Sequence, residues 1–101
     1  MDEQKREREI SDLYLIAALF AYGIRAERID RHNPNRQKFV FNAEQKIPVR
    51  VSENGEALLR ELTVEEIELY FLVDNLWLPG NYPKALKDTR ATIHGYREDH
   101  Y

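Results

Sequence analysis

The chain has 101 residues and no cysteine, and its 15 lysines and arginines against 18 acidic residues give a formal net charge of −3. This length predicts a single domain over residues 1–101. The absence of cysteine excludes disulfides, thiolate nucleophiles and cysteine-based metal sites. The acidic total provides no overall basic field of the kind that attracts nucleic acid.

Residues 1–9 form a charged leader with four acids and three bases, and we expect a solvated helical extension that frays. The apolar run over residues 13–24 is shorter than the about 20 residues that a membrane-spanning helix needs. It also lacks the basic segment and small-residue cleavage site of a secretory signal. We therefore expect a cytoplasmic protein without membrane contact.

The same apolar run predicts the first helix. Ser11 or Asp12 can cap its start, and Gly23 can supply the left-handed stop after Tyr22. A helix that is apolar nearly all round must be covered on most sides. We therefore expect either a central core helix or part of a subunit interface, and a symmetric homodimer is the corollary of the second alternative.

A β-hairpin is predicted next, from residues 24–31 and 36–42. The turn between them contains Asn33-Pro34-Asn35, which is typical of a chain reversal. Phe39 and Phe41 alternate with a valine, so both phenylalanines should face one side of the sheet.

A third strand is predicted over residues 47–52 because apolar and polar residues alternate there. Pro48 cannot donate a ladder hydrogen bond and should lie at an edge or a strand start. Asn54-Gly55 favours a hairpin turn, but residues 56–62 consist of good helix formers. That segment could be a strand or a helix.

Two helices are predicted after it. Thr63 and Glu66 have the spacing of a capping box, and Leu62 and Ile67 stand where a hydrophobic staple requires them. The final helix should begin at about Pro83 and run through Ile93.

We expect Gly95 to end the last helix and residues 96–101 to form a flexible tail. The predicted fold class is α+β: an N-terminal apolar helix, a small antiparallel sheet of 2–4 strands, and two C-terminal helices packed on one face.

Reactive machinery is not evident in the sequence. The glycines stand alone and form no phosphate-binding loop, and the histidines lack metal-ligand spacing. The carboxylates Glu65, Glu66 and Glu68 fall in the first turns of a predicted helix, where acids complement the helix dipole. We expect a protein that is not an enzyme, with no cofactor and no metal.

Charge is segregated along the chain. Residues 25–50 contain seven bases and three acids, whereas residues 53–74 contain seven acids and one base. The basic hairpin is therefore the candidate contact site for nucleic acid or for an acidic partner surface. Its candidate residues are Arg28, Arg31, His32, Arg36 and Lys38.

Two aromatic residues are candidate anchors for a protein partner, namely Trp77 and Tyr82. Trp77 stands between a helix end and Pro79-Gly80. The alternative is that its ring pins this turn onto the core.

Several segments resemble a family of small phage and prophage domains of unknown function. They are the apolar helix over residues 12–23 that ends in glycine, Ile29-Asp30, the Phe-Val-Phe strand over residues 38–41, Tyr70-Phe71, and the closing helix over residues 85–93. The resemblance covers most of residues 12–42 and 63–95, whereas residues 43–62 look like an insertion or a divergence. It implies a mobile-element origin and carries no catalytic residues.

Two functions follow as hypotheses. The first is a small non-enzymatic binding protein of phage or mobile-element type, which modulates a host or defence protein by protein–protein contact. The alternative is a nucleic-acid-binding protein that uses the basic hairpin over residues 25–41.

Overall fold

The computed structural model describes residues 6–33 and 35–98, and the fold within them is α+β, with three helices and two small antiparallel sheets. The elements in chain order are β1 (Glu7–Ile10), α1 (Leu13–Ala21), β2 (Arg28–Asp30), β3 (Lys38–Asn42), β4 (Lys46–Glu53), β5 (Glu56–Thr63), α2 (Val64–Leu72) and α3 (Tyr82–Glu98). No helix of these residues is both long enough and apolar enough to span a bilayer.

The first sheet has the strand order β1-β3-β2. The predicted hairpin is confirmed, because β2 pairs antiparallel with β3 and Ile29 stands opposite Phe39. The expected helical leader is wrong over residues 7–9, which belong to β1, and residues 1–5 lie outside the described residues. The first helix therefore follows a strand and is not N-terminal. Residues 7–10 form a strand because β3 pairs with them and satisfies their backbone N–H and C=O groups. The local sequence does not predict this distant pairing.

Helix α1 lies in the core. Its predicted cap is confirmed, since the Asp12 carboxylate accepts the backbone N–H of Tyr14 at 2.9 Å, and Gly23 follows the helix with φ of 92°. Residues 15–19 are all buried within the one chain. The apolar character of this helix is therefore used inside the protein, and it no longer supports a subunit interface.

The second sheet is the β4–β5 hairpin, in which eight residues of each strand pair one to one. Asn54 and Gly55 form the turn with φ of 52° and 82°, as a two-residue hairpin turn with positive φ at both positions requires. Residues 56–62, which the sequence left open, are a strand. The expectation of one sheet is wrong, because β4 and β5 form a sheet of their own.

Helix α2 begins with the predicted capping box: the Thr63 hydroxyl accepts the N–H of Glu66, and the Glu66 carboxylate accepts the N–H of Thr63. Leu62 and Ile67, the expected staple, are both buried. Helix α2 packs against β4 and β5, whereas α3 packs mainly against α1. The two C-terminal helices therefore cover different parts of the core.

Helix α3 does not stop at Gly95 but continues to Glu98. A glycine within a helix costs only about 1 kcal/mol relative to alanine, so it does not by itself end the element. Residues 96–98 are consequently helical, and residues 99–101 of the expected tail lie outside the described residues.

Candidate functional site

Two cations of the predicted basic hairpin are neutralised by β1. The Arg28 guanidinium donates two hydrogen bonds to the Glu7 carboxylate, at 2.8 and 2.9 Å, and this contact raises the pKa of Arg28. Lys38 lies 3.6 Å from a carboxylate oxygen of Glu9. Because the sequence did not predict β1, it did not predict these partners.

These ion pairs lie on the outer face of the first sheet. Val40 belongs to this face, opposite to Phe39 and Phe41, because side chains alternate along a strand. Glu9 and Arg28 flank Val40 directly across the two ladders. Val40 is nevertheless 0% exposed. Because Glu7 and Glu9 lie there beside Arg28 and Lys38, this face carries both signs of charge and does not produce a positive field.

The remaining hairpin candidates are spread over its turn. Arg31 donates to the Gln37 side-chain oxygen at 3.3 Å, and the buried Gln37 amide donates in turn to the carbonyl of Ile93 in α3 at 3.5 Å. His32 and Arg36 are exposed. The structure thus does not assemble the five predicted residues into one cationic patch. Gln37, which links the turn to α3, was missed because glutamine in a polar stretch gives no sequence signal.

A cleft of about 710 Å³ opens beside β2, between the end of α1 and α3. We call it the arginine cleft. It is lined by the apolar residues Phe20, Ile24, Ile29 and Phe39 and by three arginines, Arg25, Arg28 and Arg31. Such a lining suits an anionic ligand that has an apolar or aromatic part. Arg25 was not predicted, although its spacing of three from Arg28 repeats at Arg31.

A second concavity, of about 430 Å³, lies on the outer face of the β4–β5 hairpin. We call this surface the Trp77 face and define it by Tyr22, Pro48, Arg50, Leu59, Trp77 and Leu78. Leu59 is 67% exposed, Trp77 48% and Leu78 44%. Arg50 stands directly opposite Leu59 in the ladder, and its guanidinium carbon lies 5.9 Å from the Trp77 ring centroid. An arginine stacked on a half-exposed tryptophan, among exposed leucines, is typical of a protein interface.

The chain holds the Trp77 face in place through backbone contacts on the outer edge of β4. The N–H of Ser52 donates to the carbonyl of Asn75 at 2.8 Å, and the N–H of Trp77 donates to the carbonyl of Arg50 at 2.9 Å. Leu76 between them is buried. Both interpretations of this segment therefore apply in part: Leu76 and the backbone fix the turn, while the Trp77 ring remains half exposed.

Tyr82, the other predicted anchor, lies half-buried at the start of α3. Its hydroxyl donates to the backbone carbonyl of Tyr14 in α1 at 3.3 Å. Burial, followed by the nearby Asp12, raises the pKa of Tyr82. The side chain is used in the packing of α1 on α3 and is not part of the Trp77 face.

The most connected titratable groups belong to the opposite face of the β4–β5 hairpin, under α2. The Glu53 carboxylate accepts hydrogen bonds from the Arg60 guanidinium, at 2.7 Å, and from the Tyr70 hydroxyl. These two donors lower the pKa of Glu53, and the same contact raises the pKa of Tyr70. In the part of the chain that the structure describes, no three histidine, aspartate or glutamate side chains are placed to hold a metal ion.

Comparison of the chain with known protein families, with curated proteins and with solved structures finds no match.

Proposed function

We propose that this chain is a non-catalytic binding protein that acts by contact with another protein through the Trp77 face. The observation that carries the proposal is the half-exposed Trp77 ring beneath the Arg50 guanidinium, next to the exposed Leu59. Tryptophan and arginine are the residues most enriched among those that dominate interface binding energy.

The surroundings of the Trp77 face support the same proposal. Lys46 and Glu61 lie on the same face of the hairpin, at its margin, and both are exposed. An apolar centre with a charged rim is the usual anatomy of a protein interface. The backbone bonds that fix the 75–77 segment hold the backbone that carries the ring, so less ordering entropy is lost on binding.

The resemblance to small phage and prophage domains supports a partner in the host cell, and we propose a cytoplasmic host or defence protein that this chain modulates. No cofactor is part of the proposal. The chemistry of the Trp77 face calls for a partner surface with an apolar pocket for the indole and an acidic group near Arg50.

The test compares three immobilised chains: the wild type, Trp77→Ala, and Leu72→Ala as the matched control. Leu72 is 65% exposed but belongs to α2, so its truncation removes a similar apolar surface elsewhere. We expect at least one protein from nuclease-treated host lysate to bind the wild type and the control but not Trp77→Ala. Its affinity should fall about 30-fold or more on the Trp77 truncation.

The proposal would be abandoned if every protein retained by the wild type bound Trp77→Ala equally well. Circular dichroism of the three chains must first show the same folded state, so that lost binding is not a consequence of unfolding.

The arginine cleft favours a second function, the binding of single-stranded nucleic acid. Arg25 and Arg31 can contact phosphates, and Phe20 provides an aromatic wall against which a base can stack. The pairing of Arg28 with Glu7 weakens this candidate, which is why we place it second.

Fluorescence anisotropy with a labelled single-stranded oligonucleotide at low and high salt tests this function. Binding should weaken steeply with salt and be lost in Arg25→Glu combined with Arg31→Glu. The matched control is Lys84→Glu combined with Lys87→Glu, an equal change of charge on α3. Absence of binding at low salt, or equal binding by all three proteins, would reject nucleic-acid recognition by the cleft.

A further inference from the structure

The outer edge of β5 is the longest unpaired strand edge in the described part of the chain. Strand β5 pairs only with β4, and the two-residue turn makes Glu53 and Glu56 a hydrogen-bonded pair. Alternate residues then bond to β4, so the N–H and C=O groups of Ala57, Leu59 and Glu61 point away from it. No described strand or loop pairs with these groups.

The other edge of the same sheet, along β4, is blocked over most of its length. From residue 48 to residue 53 the outward positions of β4 are Pro48, which has no N–H, Arg50, whose N–H donates to the Tyr22 hydroxyl at 3.3 Å, and Ser52, whose N–H donates to the carbonyl of Asn75. Strand β5 has no proline, and its one-to-one pairing over eight residues leaves no bulge. It therefore lacks two of the devices by which monomeric proteins block an exposed edge, namely proline and a bulge.

We propose that two copies of this chain pair antiparallel through β5, with a two-fold axis at Leu59. The result is a four-stranded sheet in the order β4-β5-β5-β4 across the two copies. The inference concerns the purified chain alone and does not depend on the proposed function.

The sequence of β5 selects this register. An axis at Arg60 or at Glu61 would set identical charges directly against each other, which is destabilising. An axis at Ala57 or Leu58 would leave a shorter overlap that runs into the turn. The axis at Leu59 pairs residues 56–62 of both copies with no like charges opposed, and it places Leu58 against Arg60 and Ala57 against Glu61.

This register also brings the two exposed Leu59 side chains into contact with each other. The two leucines stand opposite each other on the outer face of the hairpins, at Cα–Cα about 5.5 Å in a hydrogen-bonded pair. Leu59 belongs to the Trp77 face, so the axis joins the Trp77 faces of both copies into one continuous surface. A partner would then meet two Trp77 rings, one from each copy, at a fixed distance from each other.

Sedimentation equilibrium of three chains tests the pairing: the wild type, Leu59→Pro and Leu59→Val. Proline at this position removes only the outward N–H, because Leu59 and Arg50 form a non-hydrogen-bonded pair within the hairpin. Two hydrogen bonds between the copies are lost per dimer, so the dissociation constant should rise about tenfold or more. Leu59→Val keeps the N–H and should still dimerise.

Spin labels on single introduced cysteines test the register without relying on a proline variant, and the natural absence of cysteine makes the labelling specific. We expect the strongest dipolar broadening between copies for Leu59→Cys. It should be weaker for Ala57→Cys and Glu61→Cys, whose labels lie about 13 Å apart along the strand direction.

A wild-type chain that stays monomeric at the highest measurable concentration overturns the proposal. A dimer that Leu59→Pro leaves intact in its folded state overturns it as well. Maximum broadening at Ala57→Cys or Glu61→Cys, or none at the three positions, would show that the axis at Leu59 is wrong.

Discussion

The Tyr22 hydroxyl donates a hydrogen bond to the backbone carbonyl of Trp77 and accepts one from the backbone N–H of Arg50. One phenol group thus connects the end of α1 to the outer edge of β4 and to the segment that carries the indole ring. The position of the Trp77 face depends on this contact as well as on the ladder-like bonds beside it.

Tyr22→Phe should therefore lower the free energy of unfolding by about 1 kcal/mol, since two backbone groups lose their shared partner. Urea unfolding measures the change. The control is Tyr14→Phe. Among the described residues the Tyr14 hydroxyl accepts one hydrogen bond, from the Arg90 guanidinium at 3.5 Å, so this variant should be close to neutral. Equal losses for the two variants would contradict the role given to Tyr22.

The capping box of α2 predicts a second stability effect. Thr63→Ala should cost about 1 kcal/mol because the N–H of Glu66 loses its acceptor. Thr63→Ser keeps the hydroxyl and should retain most of the stability. A serine variant as unstable as the alanine variant would show that the methyl group, and not the cap, stabilises this site.

The pH dependence of stability should reflect Glu53. Arg60 and Tyr70 lower the pKa of this carboxyl from its ordinary value of 4.5, so folding favours its ionised form. The stabilisation is complete above the unfolded value and is lost as the pH falls through the lower folded value. Glu53→Gln should therefore be less stable than the wild type at neutral pH, with a gap that closes in acid.

Unfolding curves of wild type and Glu53→Gln across this range give the measurement. Arg60→Gln removes the main donor from the other side and should reproduce the effect. A gap that is the same at neutral pH and well below 4.5 would mean that the Glu53 charge contributes nothing.

Asp74 follows the C-terminal cap of α2 with φ of 63°, in the left-handed region that favours glycine. Asp74→Gly should raise the free energy of unfolding by about 0.5 kcal/mol or more, because it relieves backbone strain and removes a negative charge near the helix C-terminus. Asp74→Asn separates the contribution of charge from that of conformation. Asp74→Val should be destabilising by about 1–2 kcal/mol. A stabilising valine would refute the assignment.

Local chemistry made much of this fold predictable. The Asn54-Gly55 turn, the Thr63 cap and the Asp12 cap each use contacts within a few residues, which a sequence displays directly. Pro48 was expected at an edge, and it lies at an outward-facing position of β4. Each of these features depends on backbone geometry that one or two side chains determine.

The rest depended on distant pairing. Residues 56–62 contain alanine, leucine, glutamate and arginine, which favour a helix. They nevertheless form a strand, because the Asn54-Gly55 turn places them beside β4, with which they pair. Strand β1 forms because it pairs with the edge of β3, and no local sequence pattern predicts this pairing. Because β1 was not predicted, the pairing of Arg28 with Glu7 and of Lys38 with Glu9 was not predicted either.

The candidate site was predictable where one residue type was informative by itself. A tryptophan next to a proline-glycine turn marked Trp77 without any knowledge of the fold. Its neighbours on the Trp77 face were not foreseeable, because Arg50 and Leu59 reach the ring only through the cross-strand register. The same holds for Arg25, which joins a cleft whose walls come from four separate elements, α1, β2, β3 and α3.

Strand β4 is hydrogen-bonded to the whole of β5 on one side and to the short 75–77 segment on the other. Its backbone amides can therefore report the opening of each side separately. The amide of Val51 is directed to β5, whereas the amide of Ser52 is held by Asn75. Deuterium uptake at Ser52 should therefore follow departure of the short segment that carries the indole, and uptake at Val51 should follow unzipping of the hairpin. Two adjacent amides would then record, in one experiment, how often the Trp77 face rearranges while the hairpin beneath it stays paired.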